Sequence, residues 1–199
     1  MKNDLILASN SKIRADLLRN AGVSIRVDPA KIDEHSIKNL LFAEKVSHRD
    51  IADALAEAKA RKISNKHSGF LTLGCDQILS FEGTVFSKPQ SKEELCDQLL
   101  ALNGRKHLLF TAAVLYHSGE PLWRHISAVR LTMREMSDDF VRSYADRNWP
   151  ELSSSLGGYK IEAEGVRLFS RIEGSHFAIL GLPLIELLNH LTVIGYLQT

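Results

Sequence analysis

The sequence predicts a mixed α/β fold, a twisted sheet with helices on its faces. Three observations carry that prediction. Apolar runs of strand length alternate with stretches whose apolar residues recur at helical spacing. Most of the helical stretches open on a side-chain cap. Hairpin signals fall between units that read as strand–helix–strand crossovers, which mixes the sheet.

In chain order, Leu5-Ile-Leu-Ala8 reads as a buried strand. Ser11 caps a helix whose Ile13, Leu17, Leu18 and Ala21 share one face, and Gly22 ends it. Val23, Ile25 and Val27 alternate with polar residues as a half-buried strand does. A polar loop from Pro29 carries Asp33 and Glu34. Asp50 to Asn65 is a second helix, apolar at Ile51, Ala54, Leu55, Ala58 and Ile63. Phe70 to Gly74 is a short strand, followed by a hairpin of Ile78–Phe81 and Thr84–Phe86 around Glu82-Gly83. Ser91-Lys-Glu-Glu94 is a capping box that opens a helix to Leu102. Leu108 to Tyr116 and Ser127 to Met133 are long strands. Ser137 caps a helix that runs to Trp149, where Pro150 stops it. Tyr159–Glu162 and Val166–Ile172 read as strands around a glycine turn, and Leu184–Leu191 is a closing helix. The expected order is β-α-β-α-β-β-α-β-β-α-β-β-α.

The chain of 199 residues suits one large domain or two packed lobes, and we take residues 1–199 as a single domain. Its 25 Lys/Arg and 24 Asp/Glu are interleaved and leave a formal charge of +1, which argues against a nucleic-acid partner. The four-residue apolar run within Met1–Ala8 is too short for a signal peptide. Pro183 and Glu186 interrupt the most apolar stretch, so no membrane span is expected. Two cysteines, Cys75 and Cys96, form neither a disulfide framework nor a zinc spacing and read as reduced thiols in a cytoplasmic protein.

The chemistry gathers in a few short segments. Ser9 and Ser11 place two hydroxyls at a strand-to-helix turn, and Lys12 and Arg14 follow in the first helical turn. Cations at the positive end of a helix are unfavourable unless an anion sits there, and a phosphate would accept the free N–H groups, the hydroxyls and Arg14 together. Ser11 could equally do no more than cap. Asp76 follows an apolar strand directly, which places it at a strand's carboxyl end, where open α/β sheets bind ligands. With Glu34, also expected after a strand, it could share a divalent ion, or it could draw the proton from an attacking water. A single Asp in such a place is more commonly a turn residue. Lys59 lies at the edge of its helix's apolar face and Lys88 precedes Pro89 after the hairpin. Fixed cations of this kind suit a leaving phosphate group. The chain has no GxxxxGK[ST] loop, GxGxxG, HExxH or GxSxG, which excludes those nucleotide-binding and hydrolase classes. The residues alone give a phosphate-binding α/β domain.

Eight blocks in order also resemble one family. Leu7-Ala-Ser-Asn-Ser-Lys-Ile-Arg-Ala-Asp-Leu-Leu18 resembles the N-terminal signature of the Maf, or septum-formation inhibitor-like, proteins. Ile32-Asp-Glu34, Ala58-Lys-Ala60, Gly74-Cys-Asp-Gln77, Ser87-Lys-Pro89, Leu102-Asn-Gly-Arg-Lys-His107 and Gly157-Gly-Tyr-Lys-Ile-Glu162 follow, with Leu180-Gly-Leu-Pro183 near the end. The resemblance implies two lobes around a nucleotide cleft, as in Maf and inosine triphosphatase folds. It also implies hydrolysis of nucleoside triphosphates to the monophosphate and pyrophosphate with a divalent metal (Mg, Mn or Co). It casts Asp76 as the catalytic residue, Glu34 as the acidic residue near the metal, and Ser9, Arg14, Lys59 and Lys88 as triphosphate-binding residues; the reading of the residues themselves adds Ser11 to the substrate-binding set and Asp76 to the metal ligands.

Base specificity is expected at Ile13, Gln77 and Glu162. Gln77 and Glu162 resemble the subgroup that acts on 7-methyl-GTP, since a carboxylate at Glu162 can accept the hydrogens of a guanine edge. Ile13 departs from it, because that subgroup carries Trp there and only an aromatic ring stacks on a methylated, cationic base. A dTTP/UTP-type pyrophosphatase is the alternative within catalysis, and a nucleotide-binding regulator of cell division is the alternative outside it. A homodimer stands as one option for its assembly.

Overall fold

Leu5, Ile6 and Leu7 have no exposed surface, so β1 (Leu5–Leu7) is buried on both faces, as a strand between parallel neighbours must be. The computed structural model describes residues 4–198, so the start of the Met1–Ala8 stretch lies outside the described residues. After β1 come α1 (Lys12–Asn20), β2 (Ile25–Val27), α2 (Glu34–Ala43), α3 (His48–Lys66), β3 (Leu71–Phe81) and β4 (Thr84–Phe86). They are followed by α4 (Lys92–Leu102), β5 (Lys106–His117), β6 (Glu120–Met133), α5 (Asp138–Asn148), β7 (Phe169–Glu173), α6 (His176–Ile179) and α7 (Leu184–Val193). The strand order is β2-β1-β3-β5-β6-β7, with β4 paired to β3. The mixed α/β class expected from the sequence is therefore the class observed.

The chain divides into two compact units. The first takes the chain up to Gln77, Phe110–Ser127 and the chain from Ser175 on. In it β1 pairs in parallel with β2, with Leu5 opposite Ile25, and with β3, with Leu7 opposite Leu73. Its core joins Leu5, Leu7, Leu18, Leu73 and Leu115 with Leu182, Leu187 and Leu191. Ser11 and Ser47 cap α1 and α3 by accepting from Arg14 N (3.4 Å) and Asp50 N (3.2 Å).

The second unit takes Ile78–Leu109 and Ala128–Gly174. The β3–β4 hairpin turns on Glu82 (φ 47°) and Gly83 (φ 79°), the two-residue, positive-φ loop that the sequence signals. Antiparallel pairing of β6 with β7 sets Leu131 opposite Ile172. His107 is 2% exposed, its Nε2 pairs with Tyr159 Oη (2.9 Å), its Nδ1 has no partner, and its ring packs on Tyr159 and Phe169. Burial pushes its pKa down to about 4. An unfolded histidine titrates near 6.5, so the unfolded chain takes up a proton that the folded chain rejects. The stability this gives is complete above about pH 6.5 and is lost as the pH falls towards 4. Between pH 7 and pH 5 the cost is about 2 kcal/mol, to be measured by urea unfolding at both values. A His107→Phe variant should lose correspondingly less. An equal loss in that variant would assign the acid sensitivity to other groups.

The structure corrects the sequence reading at several places. Residues 34–43 are a helix, not a loop: Asp33 caps it by accepting from Ser36 N (3.0 Å), and Glu34 is its first residue. Phe70–Gly74 and Ile78–Phe81 are parts of the single strand β3, so Asp76 stands inside a strand rather than at its end. Its carboxylate can stay there because a buried lysine pairs with it. Tyr159–Glu162 is not a strand, although Tyr159 and Ile161 are buried and Glu162 exposed. The chain folds back there, with Ala163 N on Lys160 O (3.2 Å), and a Cβ at Gly165 would stand 2.5 Å from that same carbonyl. The strand expected from Val166 begins only at Phe169, after a 3-10 turn over Glu164–Leu168. The short α6 helix was not anticipated.

Candidate active site

The first unit assembles its polar residues from the inside out. Immediately after β1, Ser9 is buried, and its Oγ accepts from Ser11 N (3.2 Å) and Arg14 Nη1 (3.1 Å). The first turn of α1 has no acidic residue. Arg14 is instead held by neutral oxygens: its Nε donates to Gly181 O (2.7 Å) and its Nη1 also to Cys75 O (3.1 Å). Among the described residues no carboxylate pairs with Arg14, so its charge adds to the positive end of the helix. Lys12 is exposed, and Ile13 is half-buried on the same helix.

The acidic cluster is built by α3 and β3. The buried face of α3 carries Leu55, Ala56, Ala60 and Ile63, and Lys59 with them, 8% exposed. Gly74 lets the two elements touch, since a Cβ there would lie 2.1 Å from Ala56 O and 2.6 Å from Ala60 N. At this distance Lys59 Nζ reaches Asp76 Oδ1 (2.5 Å) and, from the start of α2, Glu34 Oε1 (2.7 Å). Burial pulls the Lys59 ammonium towards losing its proton. The charges of Asp76 and Glu34, with their hydrogen bonds, outweigh that and hold it above the ordinary lysine value. Asp76 is 5% exposed, and its Oδ2 is buried without a hydrogen-bond partner. Cys75 points into the core, where burial pushes its thiol up to about 11. It takes no part except through its carbonyl.

The structure thus brings Ser9, Ser11, Arg14, Glu34, Lys59 and Asp76 into one unit, with Arg14 bonded to the residue before Asp76. Gln77 belongs there too, but its amide donates inward, to Thr111 Oγ1 (2.9 Å) and to the carbonyls of Ala178 (2.9 Å) and Ile179 (3.1 Å). Lys88 and Glu162 belong to the second unit, where both are exposed. Thr111, buried and donating to Ala178 O (2.8 Å), was missed by the sequence reading, because nothing in the continuously buried run of β5 marks it out. Gly181 stood in a recognised block, but only the structure gives it a contact.

The family model for Maf-like proteins matches residues 4–194. A nucleoside triphosphate pyrophosphatase of Ruegeria pomeroyi is 53% identical over 98% of this chain and 98% of its own. One from Ruegeria sp. strain TM1040 is 52% identical over the whole of both chains. A 7-methyl-GTP pyrophosphatase of Mesorhizobium japonicum is 43% identical over 98% of each. Among the described residues, no helix is long and apolar enough to cross a membrane.

Proposed function

Given that the chain belongs to the Maf family, we propose that it hydrolyses the bond between the α and β phosphates of a nucleoside triphosphate, releasing the monophosphate and pyrophosphate. The supporting observation is a convergence at residues 75–76 of β3. An uncompensated arginine at a helix start bonds the Cys75 carbonyl, and a buried lysine binds the Asp76 carboxylate. Anion-binding groups and a candidate base thus stand one residue apart.

Ser9, Ser11, Arg14 and the start of α1 bind phosphate oxygens in this reading. Lys59 adds a fixed, buried positive charge. Asp76 accepts the proton of the attacking water or binds a cation. The donor set fits a hard divalent ion such as Mg, Mn or Co. Two carboxylates from α2 and β3 already meet on one cation, the Lys59 ammonium, and Asp76 Oδ2 is a buried carboxylate oxygen with no partner. Held by Glu34 and Asp76, such an ion would neutralise charge building on the leaving pyrophosphate. Among the described residues no cluster of three or more His, Cys, Asp or Glu could hold it alone, so substrate phosphates and waters would complete the shell.

Lys88 is proposed as a further phosphate ligand and Glu162 as a reader of the base, on the strength of the blocks they stand in. The free, buried thiols of Cys75 and Cys96 suit a reducing compartment, and we place the enzyme in the cytoplasm. Chromatography of the products from a panel of canonical and 7-methylated triphosphates tests the reaction and the base preference together. Monophosphate and pyrophosphate are expected. Nucleoside diphosphate and orthophosphate would overturn the proposal.

A further inference from the structure

A guanidinium carries five N–H groups in one plane. In Arg14 three of them are spent inside the protein: Nε on Gly181 O, and the two Nη1 hydrogens on Ser9 Oγ and Cys75 O. Among the described residues Nη2 has no hydrogen-bond partner. Arg14 is therefore locked in plane with a single nitrogen left over.

The contact that sets this plane comes from 167 residues further along the chain. Gly181 has φ +97°, a conformation that L side chains rarely adopt, and a Cβ there would stand 2.9 Å from Arg14 Nε and 3.2 Å from Nη2. The absence of a side chain lets the carbonyl reach Nε and keeps the Nη2 edge clear. Gly181 is itself held, since its N donates to Ala178 O (3.0 Å). The Ala178 and Ile179 carbonyls are in turn pinned by the Gln77 amide, and the former also by Thr111 Oγ1. A continuous path of hydrogen bonds runs from Gln77 through residues 178–181 to Arg14.

We infer that Gly181 and Gln77 are positioning residues for Arg14, fixing its plane so that Nη2 alone is presented to a phosphate oxygen of the substrate. This rests on the proposed role of Arg14 in binding phosphate. It moves Gln77 from reading the base to placing the phosphate. Both nitrogens of a mobile arginine could grip an anion in several ways, whereas a locked one accepts one placement of the phosphate, and placement governs rate.

The test is kcat/KM for pyrophosphate release by Arg14→Met, Gly181→Ala and Gln77→Met, and by each of the latter two combined with Arg14→Met, with urea unfolding alongside. Arg14→Met is expected to lose roughly 10²-fold, Gly181→Ala about as much, and Gln77→Met about tenfold. Residues acting through one group are not additive. In the Arg14→Met background each second change should therefore cost less than about twofold, and Gln77→Met should leave the ratio of activities on different bases unchanged. Full additivity would overturn the inference and leave the phosphate role of Arg14 standing, because general damage to the fold adds whether or not Arg14 is present. A shifted base ratio in Gln77→Met would return that residue to specificity and overturn its part. Near-normal activity of Arg14→Met would overturn the phosphate role and the inference together. If Gly181→Ala does not fold, Gln77→Met alone decides the question.

Discussion

Asp76→Asn is expected to cut kcat by roughly 10²-fold or more, in the range that loss of a general base produces. Asparagine keeps the shape and can still accept from Lys59, which also retains Glu34 as a partner. The unfolding midpoint should therefore move little and KM should stay within a few-fold of the parent. What disappears is the second carboxylate oxygen, Oδ2, the buried atom with no partner in the resting protein. An amide there can neither take a proton from water nor hold a cation. Steady-state kinetics with urea unfolding on the same preparation measures both sides. Retention of most of the activity would remove Asp76 from the reaction.

Gly74→Ala is expected to be the most destabilising single methyl in the first unit. The new Cβ would meet backbone, 2.1 Å from Ala56 O and 2.6 Å from Ala60 N, so the helix α3 would have to move away from β3. Forcing a packed backbone apart costs on the order of 3 kcal/mol or more, far beyond the ~0.5–1 kcal/mol gained by stiffening the unfolded chain. Gly22→Ala is the reference: φ is +75° there and no atom lies within 4 Å, so only the strained backbone is charged, at about 1 kcal/mol. Midpoints of urea unfolding compare the two. A Gly74 variant no less stable than the Gly22 variant would mean that the helix–strand contact is softer than its distances imply. Activity should fall as well, because the same closeness brings Lys59 onto Asp76.

Local signals were legible in the sequence and long-range ones were not. Ser11, Ser91 and the Glu82-Gly83 turn act within a few residues, and Lys59 betrayed its burial by its place on an apolar helix face. The helix at 34–43 escaped because it buries no residue fully and leaves Leu40 60% exposed, so no apolar stripe announces it. Asp76 read as the end of a strand because a carboxylate inside a buried strand makes sense only with its lysine, 17 residues earlier on another element. Tyr159–Glu162 has the alternation of a strand without a neighbour to pair with. Thr111 and Gly181 matter through contacts that span the chain, which spacing cannot encode.

The first unit's interleaved course, through Gln77, back at Phe110–Ser127 and again from Ser175, bears on how the protein is made. A ribosome delivers Ser9, Arg14, Lys59 and Asp76 first, but the carbonyl that holds Arg14 emerges only with Gly181, 167 residues after the arginine itself. Domains that are contiguous in sequence can finish folding while later ones are still being synthesised. This unit cannot, and neither a nascent chain stalled before Gly181 nor a single proteolytic cut that releases the last segment leaves its arginine fixed.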